Sequence, residues 1–197
     1  LVQARFGLGG SQVALAFAAF GAGSMLAAVL LPRLLDRLAD RPVMIGGAAL
    51  MVAGVALVPL VGSLAVLIAL WAVIGFGFSL TQTPIGRIIN RSAREADRGT
   101  VFAAQFALSH ACWLITYPLA GWVGARFGLD ASFAALGIVA AAAIAMSAAM
   151  WPDREPAELA HTHDDLPPNH PHLAGSAAGG QHAHAFVIDD EHQRWPR

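Results

Sequence analysis

The chain has 197 residues, of which 56% are hydrophobic and only 13% charged, and its mean hydropathy is +0.58. That balance excludes an ordinary soluble domain, because so short a chain cannot hide this much apolar surface behind its own polar shell. The net charge is -1 and all twelve basic residues are Arg; no stretch interleaves basic with aromatic residues, which excludes nucleic-acid binding.

Residues 1–10 read as the end of one element followed by a Gly-rich loop. The first charge-free span is 11–31, in which Ala19, Gly23 and Ala27 recur every four residues. Small side chains at that spacing let two helices approach closely in lipid. Pro32 to Pro42 (PRLLDRLADRP) is a compact charged loop. From Val43 to Gly86 the chain then runs without one Asp, Glu, Lys, Arg or His. At about 1.5 Å per helical residue this stretch would be roughly 66 Å long, about twice the hydrocarbon thickness, so it must cross, turn and cross back. Pro59, Gly62 and Ser63 mark the turn, giving spans at 43–61 and 64–86 joined as an antiparallel hairpin. Gly75, Ser79, Gln82 and Gly86 share one face of the second of these. Such a stripe either packs against a neighbouring helix or lines a watery cavity.

A second charged loop, Arg87 to Thr100, leads to the span 101–123, the most polar of all. There Gln105, Ser109, Trp113 and Thr116 recur on one face, with His110 beside them. Polar and ionisable groups at membrane depth rarely face lipid, so this face is expected to look into the protein or a cavity. His110 is then either a neutral imidazole bonded within the bundle or a working proton site. Gln82, Gln105, Ser109, His110 and Trp113 are the candidate lining of a substrate cavity. Cys112 is the single cysteine and makes no intrachain disulfide. The last span, 131–151, closes on Trp151 and Pro152, an interfacial aromatic followed by a helix stop.

The expected fold class is therefore an all-α membrane protein with five transmembrane helices within 11–151, set in a lipid bilayer. Arg33, Arg37, Arg41, Arg87, Arg91, Arg94, Arg98 and Arg154 fall on one side of it, Arg5 and Arg126 on the other. The positive-inside rule makes the first side cytoplasmic, together with the carboxy-terminal tail. The amino end would then start outside the cytoplasm with neither an initiator Met nor a signal peptide, so an upstream part is expected.

The loop residues Asp36 and Arg37, then Ala39 and Arg41, resemble the G-x-x-x-D-R-x-G-R-R/K signature of the major facilitator superfamily in its second-half copy. Pro32 stands at the first Gly, Ala39 at the second, and Asp40 at an Arg. The R-x-A-R-E-A-D-R-G-T-V-F run from Arg91 to Phe102 and the YPLAG of Tyr117 to Gly121 resemble the surroundings of the tenth and eleventh helices in bacterial members. Residues 1–151 thus resemble the carboxy-terminal half of such a transporter, helices 8 to 12. The resemblance implies a twelve-helix inner-membrane carrier whose two halves rock about a central site for a small-molecule or ion substrate, the amino-terminal half being a missing partner. It requires no cofactor, and it makes Asp36, Arg37 and Arg41 residues of a cytoplasmic gate. No span carries a carboxylate, so a proton-coupling group lies in the other half, or His110 takes that role. No nucleophile elbow, H-E-x-x-H or phosphate loop supports an enzyme.

Residues 152–197 change character and read as a separate, largely disordered tail holding seven of the eight histidines. His161 and His163, His170 and His172, and His182 and His184 form H-x-H pairs, with His192 alone. In extended chain i and i+2 share a face, so each pair can offer two imidazoles to one ion. Imidazole suits Zn, Ni and Cu, and Asp164, Asp165, Asp189 and Asp190 stand near enough in sequence to add oxygen ligands. His182 to Asp189 also alternates like a short strand. Some nickel exporters of the superfamily end in similar His-rich tails. Beside proton-coupled efflux of a small solute, the sequence therefore leaves open a divalent metal (Ni, Co or Zn) exporter, or a metal-responsive membrane sensor that transports nothing.

Overall fold

The computed structural model describes residues 2–152, 158–163, 166–167, 170–173 and 181–194. Arg154, Asp164 and Asp165 lie outside the described residues. A short helix, α1 (Val2–Phe6), turns at Gly7 into α2 (Gly10–Leu35). Then come α3 (Asp40–Leu57), α4 (Leu64–Gln82), α5 (Pro84–Ser92), α6 (Glu95–Phe127) and α7 (Leu129–Met150). The helices overrun the charge-free spans. α2 continues through Pro32, which forfeits one bond near the helix end and leaves the last turn closed by the Asp36 N–H on the Pro32 carbonyl.

The α3–α4 connection is a one-turn 3-10 helix, Val58–Leu60, followed by Gly62 and Ser63. Ser63 then starts α4, its hydroxyl accepting from the Val66 N–H at 3.3 Å. At the far end of α4 the chain restarts at Pro84, whose missing N–H suits a first helical position, and α5 leaves as a separate short helix. α6 begins with Glu95 and Asp97 in its first turn, where the helix dipole favours anions. It stops at Gly128, which at φ +90° adopts a backbone that other residues avoid and at once opens α7.

Packing runs in a row: α2 on α4, α4 on α3, α3 on α7 and α7 on α6. α4 comes within backbone contact of both its neighbours, α2 and α3. A Cβ on Gly23 would overlap the Ala72 carbonyl, and one on Gly75 the Phe20 carbonyl. On the other side Gly47 and Gly77 face each other. Gly23 and Ala27 are buried, as the four-residue spacing predicts. The Ser24 and Ser79 hydroxyls join across the same seam at 2.7 Å. Gly75 and Ser79 are thus taken up by helix packing, while Gln82 on the same face is exposed.

Four helical stretches, Gly10–Leu35, Asp40–Leu60, Leu64–Ser92 and Leu129–Met150, are long and apolar enough to cross a membrane. No more than 28% of the most apolar window of any of them is buried within the protein. Side chains such as Phe17, Met25, Leu114, Ile115, Ile138 and Met150 stand open, an arrangement that only lipid can solvate. α6, at 33 residues, is the longest helix; its Gln, Ser, His and Thr side chains keep its hydropathy below that of the other four.

In the tail, β1 (Leu159–His161) pairs antiparallel with β2 (His182–His184), with His161 opposite His182. β2 is the start of the alternating stretch 182–189, and a 3-10 turn, Pro171–Leu173, lies between the strands in sequence. The tail rests on the bundle through the Ile188 N–H, which donates to the Arg91 carbonyl at 2.9 Å.

Candidate functional site

Two constellations stand at the end of the bundle where α2 meets α3 and α5 meets α6. The first is built on Asp40, the first residue of α3, whose carboxylate is 1% exposed. Arg87 donates to its Oδ1 from Nε at 3.0 Å and also from Nη2, while Arg91 Nη1 stands 3.6 Å from Oδ2. The two arginines lie one helical turn apart on α5, so one face of that helix grips the start of α3. Next to Asp40, Arg41 reaches the other way, donating to the Trp151 carbonyl at 3.0 Å and the Ala148 carbonyl at 2.8 Å. It thereby satisfies carbonyls that the end of α7 leaves open. Asp36 and Arg37, the signature pair, are exposed where α2 ends. The buried carboxylate of this loop is Asp40, at the position where the signature has an Arg.

On α6, His110 donates from Nδ1 to the Phe106 carbonyl at 2.8 Å, and Ser109 donates to the same carbonyl at 2.8 Å. The rings of Phe106, His110, Trp113 and Tyr117 follow one another along the helix at centroid spacings of 3.8, 4.3 and 5.8 Å. Gln105, Ser109 and His110 are half-buried and Trp113 is exposed. Gln82 belongs to α4, which α3 and α7 separate from α6 in the packed row. The structure therefore groups four of the five candidate cavity residues on α6 and leaves Gln82 apart.

The bundle these helices form is the one the sequence pattern calls for, and the family model described as Major Facilitator Superfamily matches residues 1–182. The chain belongs to the major facilitator superfamily. Its members are transporters rather than enzymes and act on small-molecule substrates, and this chain is accordingly an integral membrane protein. No curated protein and no solved structure matches it significantly.

The second constellation lies in the superfamily chain's tail. His161, His163, His172, His182 and His192 each bring a ring nitrogen to within 4.8 Å of all the others. β pairing sets His161 beside His182, the i+2 spacing adds His163, the 3-10 turn delivers His172, and the chain returns at its end with His192. Of the remaining candidates, His170 accepts the His172 backbone N–H at 3.3 Å, and His184 stands just outside with its Nδ1–H on the Ala185 carbonyl at 2.9 Å. Phe186 closes one side, 5.2 Å from the His161 ring and 4.8 Å from that of His192.

Hydrogen bonds decide which nitrogens are available. His161 uses its Nδ1–H on the Leu159 carbonyl at 2.9 Å, and His192 uses its Nδ1–H on Asp189 Oδ1 at 2.7 Å. With Nδ1 so engaged, Nε2 is the nitrogen each ring has left to offer, and these two Nε2 atoms face each other at 3.0 Å. His172 and His182 repeat the approach, Nε2 to Nε2, at 2.9 Å. Two nitrogens held about 2.0–2.1 Å from one ion stand about 2.9 Å apart at a right angle and about 3.3 Å apart in a tetrahedron. The observed pairs match the right-angle spacing, which is also the length of an N–H···N hydrogen bond.

Burial holds His161 and His172 below the ordinary imidazole value of 6.5, and the neighbouring imidazoles push the same way, against the Leu159 bond in the case of His161. These rings are kept neutral, the form that ligates. Burial would raise Asp189, but hydrogen bonds from the backbone and ring of His192 and from the Glu191 N–H outweigh it and hold the carboxyl below its usual range. Asp189 is thus a carboxylate that orients an imidazole, as acids behind metal-binding histidines commonly do.

Proposed function

We propose that this chain is the carboxy-terminal part of a secondary transporter of a bacterial inner membrane, exporting a small solute by alternating access with proton coupling, and that its cytoplasmic tail binds a borderline divalent cation such as Zn, Ni or Co. It would work with a preceding six-helix half. The α6 face bearing Gln105, Ser109, His110 and Trp113, with Gln82 from α4, is assigned to the substrate path. Asp36, Arg37 and Arg41 are assigned to the cytoplasmic gate, to which we add Asp40. The arginine excess at one end of the helices supports the orientation.

The observation that carries the cation reading is the convergence of five imidazole nitrogens within 4.8 Å of one another, with the His161 and His192 Nε2 atoms 3.0 Å apart. Five imidazoles sharing so small a space need a positive centre among them, and a metal ion engages several ring nitrogens at once where a proton joins only two. The full chain in lipid nanodiscs, titrated with Co(II), should develop the visible absorption of nitrogen-ligated cobalt with micromolar or tighter affinity. A His161→Ala, His192→Ala double variant should lose at least about tenfold in affinity. Absence of that absorption, or indifference to the double variant, sinks the cation reading.

The same cluster favours a second reading in which the ion itself is the cargo. Everted vesicles carrying the complete transporter discriminate: energised zinc or nickel uptake abolished by the double variant favours metal export. Uptake of an organic solute that persists in that variant favours the first reading. Response to metal with no flux of any kind would leave a sensor.

A further inference from the structure

The tail is too small to fold on its own. β1 and β2 are three residues each, and its described buried side chains are Phe186, Ile188 and His192. A two-stranded ribbon of that size is not stable in water. Without a cation, moreover, its centre crowds five imidazoles whose ring nitrogens lie within 4.8 Å of one another. An ion that binds the cluster therefore folds the tail as it binds.

The folded tail is wired to the charge cluster on α5. His192 is hydrogen-bonded through Nδ1 to Asp189, and the Asp189 N–H returns to the His192 carbonyl at 3.2 Å. The residue before Asp189 is Ile188, buried, whose N–H donates to the Arg91 carbonyl. Arg91 is itself the second arginine on Asp40. Beside this contact a cleft of about 530 Å3 sets Asp189 and Asp190 of the tail across from Arg94 and Arg98. The cleft is also lined by Glu95, and Arg94 pairs with Asp97, so the described anchor of the docked tail at the α5–α6 turn is the Ile188–Arg91 backbone bond. From ligand ring to buried carboxylate the path is short and physically contiguous, and its switching element is the tail itself, folded and docked or neither.

We propose that a divalent cation bound by the tail histidines acts as a regulator of the carrier: by folding the tail it seats residues 186–192 on the α5–α6 turn and strengthens the Arg87–Asp40–Arg91 lock that ties α3 to α5. The proposal rests on the cation reading above. It differs from a cargo role in placing the ion's effect at a charge cluster to which it is not bound.

Linkage supplies the test, since whatever the ion does to the lock the lock must do to the ion. Zinc affinity is measured on the full chain in nanodiscs for the natural sequence, for Asp40→Asn and for Ile188→Pro, with amide hydrogen exchange followed with and without zinc. Asp40→Asn, at a carboxylate that pairs with Arg87 and Arg91 and with none of the ligands, should weaken zinc by about fivefold or more. Zinc should slow exchange across residues 87–93 and at Ile188 in the natural chain. In Ile188→Pro, which deletes the donating N–H, residues 87–93 should no longer respond to zinc although it still binds. Zinc that binds with unchanged affinity in Asp40→Asn and protects the tail alone overturns the regulatory role while leaving the cation site standing. Failure of zinc to bind the natural chain overturns both.

Discussion

Arg87 holds Asp40 from the side and from one end, two of its nitrogens donating to a single carboxylate oxygen at the start of α3. Asp40 is buried and Arg87 half-exposed, so the two ends of this pair carry different penalties. Truncating Arg87 leaves a buried carboxylate with only the longer Arg91 contact. A lone buried partner costs about 3–5 kcal/mol, and the exposure of Arg87 together with the residual Arg91 brings the expected loss to about 2 kcal/mol. Arg91→Ala should cost less than Arg87→Ala, because its contact is 3.6 Å with no hydrogen bond on that oxygen. Thermal unfolding of the two variants in detergent gives the order, and the reverse order would mean that Arg91 is the principal partner.

Gly23 and Gly75 sit where α2 and α4 touch backbone to backbone. In lipid no hydrophobic effect holds two helices together, so close packing carries the association. Gly75→Leu has nowhere to place its side chain except against the Phe20 carbonyl, and the two helices must separate. The expected result is a variant that inserts normally yet loses the α2–α4 contact. A disulfide between Ser24→Cys and Ser79→Cys in a Cys112→Ser background, formed readily with Gly75 in place, should fall by about tenfold with Leu there. Gly21→Leu, where a side chain meets open space, serves as the control and should leave the cross-link intact.

The membrane part was legible where one residue type carries one physical consequence. A charge-free stretch twice the membrane thickness had to be a hairpin, and Pro59, Gly62 and Ser63 marked its turn. Small residues at four-residue spacing had to be a helix contact, and Gly23 is one. Asp40 was harder to read, because it stands at a signature position that ordinarily holds a positive charge and its partners are 47 and more residues away. An acidic residue opening a helix, with Arg87 and Arg91 one turn apart on another, was the available signal. In the tail the H-x-H rule points to pairs, yet only His161 and His163 enter the cluster as a pair. His172 and His182 enter without their neighbours, and the isolated His192 joins them, because strand pairing and the returning chain, not local spacing, decide which rings meet.

Acid should empty the tail site. His161 and His172 are held below 6.5 in the folded tail, while in the unfolded tail they titrate near the ordinary value. Below that value the unfolded tail takes up protons that the folded tail refuses, so the contribution is whole above 6.5 and is lost as the pH falls toward the lower folded-state values. Protons also compete with metal for the same nitrogens. Protection of the tail amides, taken relative to the intrinsic exchange rate at each pH, should therefore fall, and cobalt absorption fade, between about pH 7.5 and about pH 5.5. A response that is flat over this interval would show that the imidazoles are not the ligands.

Asp189 supplies the sharpest separation between a metal site and a chance meeting of histidines. It touches His192 Nδ1 at 2.7 Å and the N–H groups of Glu191 and His192 at 3.1 and 2.8 Å, so it fixes both the ring and the turn that presents it. Asp189→Asn keeps the size and an accepting oxygen but removes the charge behind the His192 ring. Loss of such an orienting carboxylate commonly weakens metal by about 10–100-fold. Asp190→Asn, one residue on and without a hydrogen bond to any ring among the described residues, should change affinity by less than about threefold. Equal effects from the two variants would mean that general negative charge draws the cation to the tail. A loss confined to Asp189→Asn would mean that the ion is held by imidazoles in fixed orientation, with His192 turned inward by its carboxylate.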